Sequence, residues 1–483
     1  MKITFHNLGA LKEAEIDQRP LTVFVGPNNA GKTWAAYAIA GIFGPWGYTT
    51  YSHAYVQGEL QETYPTLDNF VEQVIKTGSG TFDLVQFTTD YAEKYFNSVA
   101  HFVQAWMAEY MSTDLVSFEN LDVSIDLSTD KANIIKQIIN FSTSGAISGA
   151  KDKTELTYRK ARGKKEFLAY NSFQNISSDE MTFEEQSIEP LPPEIQKEFL
   201  IKAVLRLLHR SVYPFVRIFP TERTTFIAHP YQIIKIEQKE EADQNQALQQ
   251  RKYKSILGPL GYFFAMMQST YEIETSDRIQ RAREARNNQK IREYIALADL
   301  LEEILGGKVQ YSGPSLISQP IQYPAQDVMF QPIEGGKLEI SIASSMVKEL
   351  SPLLFYLRYL AKPGELIIID EPEMNLHPEA QVKIIEFLAL LVNAGLYVLI
   401  TTHSPYIVDH LTNLIKASEV EDKERVRDQF FLKRTDAFIS KEKVMVYLFE
   451  QGQAQKAIDE EGVIELNSFG KISDRISEIY FTL

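Results

Sequence analysis

Three short stretches of this 483-residue chain combine residue types that act on phosphates. Gly26-Pro27-Asn28-Asn29-Ala30-Gly31-Lys32-Thr33 has the spacing G-x-x-x-x-G-K-[ST] and lies between the β-prone run Leu21–Val25 and a helical pattern. Glycines there let backbone N–H groups curl around phosphate oxygens, and the helix that follows points its positive end at them. Lys32 places a point charge on the β- and γ-phosphates, and the Thr33 hydroxyl is a ligand for Mg²⁺. Far downstream, Leu366-Ile367-Ile368-Ile369 runs into Asp370-Glu371-Pro372. An aliphatic strand of this kind is buried, and its C-terminal end is where ligands bind in parallel sheets. Asp370 suits a water-mediated hold on Mg²⁺, and Glu371 suits orienting and deprotonating an attacking water. A third strand-like run, Leu396–Thr402, ends in His403-Ser404-Pro405. His403 at such an end can reach the γ-phosphate or the water. Two acids after a strand, or one histidine, mean little alone. Phosphate loop, acid pair and histidine in that order predict Mg²⁺-dependent attack of water on a bound polyphosphate.

These residues need elements to hold them. Lys2–Phe5 alternates like a strand, and Asn7-Leu8-Gly9 reads as a turn. From Tyr55 to Phe118 the pattern is mostly helical, with breaks at Pro65 and Gly78-Ser79-Gly80. Short strands are predicted at Leu121–Leu127, Thr154–Arg159 and Glu166–Tyr170, then a helix from Pro193 to Arg210 and a strand Val216–Phe219. A second helical block spans Glu237–Leu305, divided at Gly258-Pro259, with Ile291, Ile295, Ala298 and Leu305 at helical spacing. Val328–Gln331 and Lys337–Ile342 read as a hairpin across Gly335-Gly336. Strand–helix–strand alternation then returns, the mark of a parallel sheet, with Val444–Phe449 and Ile464–Leu466 as small closing strands. The predicted division is an α/β core over 1–55 and 310–483, joined by a core strand within 214–230. Residues 56–213 form a helical and antiparallel-β insertion, and 231–309 a helical lid insertion.

Composition narrows the classes. The chain carries 49 Lys+Arg against 64 Asp+Glu, a net charge of −15, so a surface that binds polyanions all over is excluded. Nucleic acid would need a local basic patch. Arg159-Lys160-Ala161-Arg162-Gly163-Lys164-Lys165 and Arg278–Arg292 are the two available, although such runs are ordinarily solvated faces. With no Cys, disulfides, thiolate metal sites and cysteine nucleophiles are all excluded. No apolar run approaches the roughly 18 residues that a membrane span needs. The N-terminus does not read as a signal peptide, so the expectation is a soluble, cytoplasmic protein.

With those residues in view, the sequence resembles the ABC-type ATPases, and within them the soluble RecF/OLD/SMC-like branch. Gly26–Thr33, Ile367–Pro372, Asn375-Leu376-His377-Pro378 and Thr401–Pro405 look like its Walker A, Walker B, D-loop and H-switch. Phe219-Pro220-Thr221-Glu222-Arg223 is similar to a strand-end P-x-E-R element of that branch. The arginine of the loose R-x₄₋₆-H spacing Arg223–His229 is thereby accounted for. The resemblance implies an ABC-ATPase head with a parallel phosphate-loop sheet, a small antiparallel β subdomain and helical insertions. It also implies ATP and Mg²⁺ as cofactors, head-to-head self-association as a dimer or an assembly of dimers, and a signature segment completing the site in trans. That segment corresponds to Ala343-Ser344-Ser345-Met346-Val347-Lys348-Glu349-Leu350, with Met346 where the branch has glycine. Ser344 and Ser345 are its candidate γ-phosphate donors. They make an equally ordinary helix N-cap, with Lys348-Glu349 as a plain helical face. Gln86, Gln104 and Gln319 are undistinguished candidates for a Q-loop.

Two readings of different class follow from the resemblance. One is the regulatory ATPase of a prokaryotic anti-phage defence system, similar to the ATPases of the Septu and PARIS systems, acting with a nuclease effector on a separate protein. The other is a DNA-binding repair ATPase similar to RecF. No long coiled coil exists for an SMC-type tether. No D-x-D pair follows His403 for a Toprim nuclease domain of the OLD kind, and the acidic balance favours the first reading.

Overall fold

Leu21–Val25 and Leu366–Asp370 have no alternation of polar and apolar residues, and in the structure neither has a solvent side: every residue of both strands is buried. The structure, a computed structural model, describes residues 1–148, 154–173, 191–228, 258–276, 278–312, 328–464 and 479. The chain divides into two units. A phosphate-loop unit comprises Ile3–Gly41, Met107–Leu121 and Phe215–Leu483, and an inserted unit comprises Met1–Lys2, Ile42–Trp106 and Asp122–Pro214.

The phosphate-loop unit is built on a mixed sheet. Its strands are β1 (Lys2–Leu8), β2 (Leu11–Asp17), β3 (Leu21–Val25), β9 (Val216–Phe219), β13 (Leu366–Asp370), β14 (Tyr397–Thr402), β15 (Val444–Glu450) and β16 (Gln453–Lys456). They run in the order β1-β2-β16-β15-β3-β14-β13-β9. From β15 to β9 every neighbouring pair is parallel. A smaller antiparallel sheet joins β10 (Gly307–Tyr311), β11 (Val328–Pro332) and β12 (Leu338–Glu339). The inserted unit holds β4 (Ser79–Asp83), β5 (Asp122–Asp126), β6 (Thr143–Ser148), β7 (Thr154–Lys160) and β8 (Glu166–Phe173). Four of these form an antiparallel sheet in the order β4-β8-β7-β6, with helices such as Leu84–His101 and Pro193–His209 in the same unit.

The fold departs from the sequence reading in instructive places. Val444–Glu450, expected as a small closing strand, lies beside β3 at the centre of the sheet; its apolar run is what a strand covered on both faces requires. Its expected companion survives only as a bridge of Ile464 to Ile458, and residues 465–466 lie outside the described residues. The hairpin across Gly335-Gly336 is present, but Ile340–Ile342 turns into a 3₁₀ helix. Gly78-Ser79-Gly80 is not a plain break: Gly78 caps one helix and β4 begins at Ser79. Pro65 opens that helix, where its missing N–H is harmless. Strand β1 continues through Asn7 and Leu8, so the turn comes later than expected. Helix Gln289–Leu305 buries Ile291, Ala298 and Leu305 as expected, and also Tyr294, Leu297 and Leu301.

The two units also cut across the expected segments. Residues 42–55 group with the insertion, 107–121 group with the phosphate-loop unit, and so does the described part of 231–309. Residues 231–257 and Gln319 lie outside the described residues, as does His229. Neither basic run is wholly a solvated face. Arg281 is buried and donates to the carbonyls of Arg358 and Ala361, and Lys160 is buried with its ammonium on the carbonyl of Ala161.

Candidate functional site

Register brings the predicted residues to one end of the sheet. Asp370 is level with Thr401, Thr401 with Phe24, and Thr402 with Val25. Gly26, Glu371 and His403 therefore each step off the sheet at the same edge. Two glycines keep the loop close to its neighbours. Gly26 has φ 146°, and a Cβ there would lie 2.3 Å from the Phe449 carbonyl oxygen; Gly31 has φ 96°, and its Cβ would lie 2.5 Å from Leu11 Cγ. Helix Lys32–Phe43 starts at the last two loop residues. A cavity of about 410 Å³ opens over the loop, lined by residues 28–34 with Glu371 and His403. That volume is within the range of small-ligand sites.

The Lys32 ammonium folds back onto the loop, donating to the carbonyls of Gly26 and Pro27, each at 2.9 Å. Burial lowers its pKa to about 8, against the pull of Glu371, Asp370 and Glu373. It also stands 3.5 Å from His403 Nδ1. The other ring nitrogen, Nε2, is 2.9 Å from Glu371 Oε1. An ammonium has only protons to offer, so Nδ1 accepts and Nε2–H donates to the carboxylate. That hydrogen bond from His403 holds the Glu371 carboxyl below its usual range.

Asp370 is nearly inaccessible and gathers hydroxyls. Thr33 Oγ1 lies 3.1 and 3.3 Å from its two oxygens, Tyr37 donates at 3.2 Å, and Thr401 donates to Oδ1. Burial raises the Asp370 pKa, and the hydroxyls oppose that rise. Glu371 has φ 49°, an uncommon conformation for a side-chain-bearing residue. It is braced on both sides: its N–H faces the Thr401 carbonyl and hydroxyl, and its carbonyl accepts from Arg223 Nη2 at 2.8 Å.

A Thr hydroxyl and a carboxylate side by side are the hard oxygen donors that Mg²⁺ takes, and Mg²⁺ fills its remaining positions with water and substrate phosphate. Thr33 and Asp370 thus fit the ion, and the loop with Lys32 fits a polyphosphate. Among the described residues no cluster of three or more His, Asp or Glu would hold a metal by protein ligands alone. Ser344 and Ser345 are not part of this cavity. Both are exposed, and Ser344 caps helix Ser345–Phe355 by accepting from the Val347 N–H at 3.4 Å.

Several residues of the site were not singled out from sequence. Tyr37 lies one helical turn after Thr33, so i,i+4 spacing on the loop helix was the available signal. Glu373 accepts from the Thr402 hydroxyl at 2.6 Å and the His403 N–H at 2.7 Å, and so fixes the strand end that carries the histidine. Burial raises its pKa. Glu349, expected on a plain helical face, is fully buried and pairs with Arg223 at 2.9 Å. Neither Gln86 nor Gln104 lines the cavity.

A glycine loop cradling an anion site, opposed by an acid pair and a histidine on adjacent strand ends, defines a P-loop nucleotide hydrolase. Residues 1–408 match the AAA ATPase domain family (AAA_15); the chain belongs to this family and is an ATP-hydrolysing enzyme. Among curated proteins none matches the sequence. Solved structures similar to it include an SMC head bound to the C-winged helix domain of ScpA (9% identity, TM-score 0.38, covering 98% of each chain). Another is the SMC head domain from Thermotoga maritima (10% identity, TM-score 0.31, 95% of this chain and 98% of that one). A third is the recombination mediator protein RecF with ATPrS (10% identity, TM-score 0.32, 94% and 97%). No helix among the described residues is long and apolar enough to cross a membrane.

Proposed function

We propose that the chain is an ABC-type, Mg²⁺-dependent ATPase in which Glu371 is the general base, His403 its partner at the γ-phosphate, and Asp370 and Thr33 the holders of Mg²⁺. The observation that carries this reading is the Lys32–His403–Glu371 chain of contacts over the phosphate loop. It sets a cation, a hydrogen-bond donor and a carboxylate around one cavity. Thr33 and Asp370 would hold Mg²⁺, which would supply charge neutralisation on the phosphates. The protein's own work is then positioning. The loop N–H groups and Lys32 hold the polyphosphate, Glu371 takes the proton of the attacking water, and His403 keeps Glu371 ionised and aimed.

Three substitutions separate these roles. Glu371→Gln keeps shape but removes proton acceptance, so turnover should fall by about 10²–10⁴ while ATP affinity holds. Asp370→Asn should weaken Mg²⁺-dependent ATP binding itself. His403→Ala should follow the Glu371 pattern. Parallel measurement of nucleotide affinity and turnover decides it: near-normal hydrolysis by Glu371→Gln removes the assigned base.

At the level of the cell, the proposal is the regulatory ATPase of an anti-phage defence system that controls a separately encoded nuclease. Support comes from the strand-end P-x-E-R element at Phe219–Arg223 and from the acidic net charge of −15, which disfavours an all-over DNA clamp. Co-purification with a nuclease encoded beside the gene, with mass measured in the presence and absence of ATP, tests it. Tight duplex-DNA binding without such a partner would instead favour the RecF-like reading.

A further inference from the structure

Arg223 is 1% exposed, yet it contacts neither the cavity nor solvent. Its guanidinium is a junction. Nη1 donates to the carbonyls of Pro220 at 2.9 Å and Asp370 at 2.7 Å, and Nη2 donates to the carbonyl of Glu371 at 2.8 Å. Nη2 also lies 2.9 Å from Glu349 Oε2. The other oxygen of Glu349 accepts from Asn375 Nδ2 at 3.1 Å. Glu349 stands in the second turn of helix Ser345–Phe355, whose N-terminal serines are exposed. Asn375 holds a left-handed backbone, φ 60°, in the turn after the acid pair. One buried ion pair therefore ties together the peptide carrying Asp370 and Glu371, the serine-bearing helix, and the Asn375 turn.

A buried ion pair costs desolvation, and Glu349 Oε2 meets the guanidinium as a charge contact with no hydrogen bond of its own, so simple cohesion would be served equally well by apolar packing. What an arginine adds is rigid, directional, multi-acceptor geometry. We infer that Arg223 is a positioning residue: through Glu349 and Asn375 it couples the setting of the Glu371 backbone to the presentation of Ser344 and Ser345 at the surface. The helix is the lever. Glu349 and Ser344 are five residues apart, roughly 7 Å along the axis, so a shift at the ion pair displaces the serines as a body. The inference rests on the ATPase reading of the site and adds a path out of it.

The conservative variant Glu349→Gln breaks the charge pair while keeping an acceptor for Asn375. Mispositioning of about 1 Å costs about 10²-fold, so turnover should fall about 10- to 100-fold with ATP affinity, read by a fluorescent ATP analogue, within about threefold. Arg223→Lys should do the same, and thermal melts identify any variant that fails to fold. The decisive readout is coupling. In the wild type, ATP should change hydrogen-exchange protection of residues 344–350; in Glu349→Gln it should still protect the phosphate loop but no longer that helix. Normal turnover in Glu349→Gln, or an unchanged ATP response of 344–350, overturns the inference while leaving the ATPase reading intact. A wild type that binds no ATP overturns both, and in that case Lys32→Ala has no binding left to remove.

Discussion

Lys32 carries the clearest consequence at the scale of one residue. Its ammonium is desolvated against two loop carbonyls, and its pKa is lowered to about 8. Phosphate oxygens placed on it would raise that value again, because a nearby anion favours the charged form. The sign of the linkage follows. Below about pH 8 the amine is already protonated and ATP binding moves no proton at this site. Above it the free protein has lost the proton and must take one up to bind. Affinity for MgATP should therefore decline as pH rises past about 8. Calorimetry at pH 8.5 in buffers of different ionisation enthalpy should register proton uptake that vanishes at pH 7. Lys32→Arg, always charged, should bind without pH dependence in this window if its longer head is tolerated. Equal affinity at pH 7 and pH 9 in the wild type would mean that Lys32 does not meet the phosphates as an amine whose charge is at stake.

At the scale of elements, the legible parts are those where local pattern and tertiary role coincide. Leu21–Val25 and Leu366–Asp370 are continuous apolar runs because both faces are covered, and helix Lys32–Phe43 follows its glycine loop directly. The candidate site was legible for the same reason: Asp370, Glu371 and His403 sit at or one residue past strand ends, Lys32 and Thr33 open the helix that the glycine loop joins to Val25, and parallel register makes them neighbours. Supporting residues were not legible, because each acts across a long sequence gap. Glu349 reads as a polar residue on a helical face until Arg223 arrives from another strand end. Glu373 reads as part of a turn until Thr402 and His403 donate to it. Arg281 looks like one charge in a basic run, yet it closes the carbonyls at the end of the helical turn Tyr356–Leu360. Sequence shows charge, not burial, and buried charge is where these readings diverged.

The inserted unit offers a prediction of the same kind. His209 ends helix Pro193–His209 fully buried, stacked on Phe96 and hydrogen-bonded to the Tyr95 hydroxyl at 3.2 Å. Burial lowers its pKa to about 4. The unfolded chain would protonate this histidine near pH 6.5, while the folded unit resists until about pH 4. Stability is thus fully present above pH 6.5 and is lost as pH falls toward 4, by about 3–4 kcal/mol at most from this group at about 1.4 kcal/mol per pH unit. Replacing it by Phe should cost packing at pH 7.5 yet flatten the stability–pH curve between 6.5 and 4. Denaturant melts at several pH values would show it; an unchanged slope in His209→Phe would assign the acid sensitivity to other groups.

At the scale of the whole molecule, the two proposed halves of the chemistry lie apart within one chain. The phosphate loop, Glu371 and His403 share one cavity, whereas Ser344 and Ser345 lie outside it and exposed at a helix N-terminus. A helix N-terminus attracts phosphate, but within one chain these serines do not line the cavity where phosphate would sit. Were a second copy to pack about a twofold axis, each copy would lend its serines to the other's loop, as isologous contacts require. This arrangement predicts complementation between two inactive proteins. Lys32→Ala has a dead loop and working serines; the double variant Ser344→Ala/Ser345→Ala has a working loop and dead serines. Mixed in equal amounts and allowed to exchange, about half of the dimers are hybrids, and each hybrid contains one intact composite site out of two. ATPase activity should therefore recover to about a quarter of wild type, and fall on dilution as dimers dissociate. If the serines act within their own chain, or only cap their helix, mixing restores nothing beyond the sum of the two variants, and the composite site is disproved.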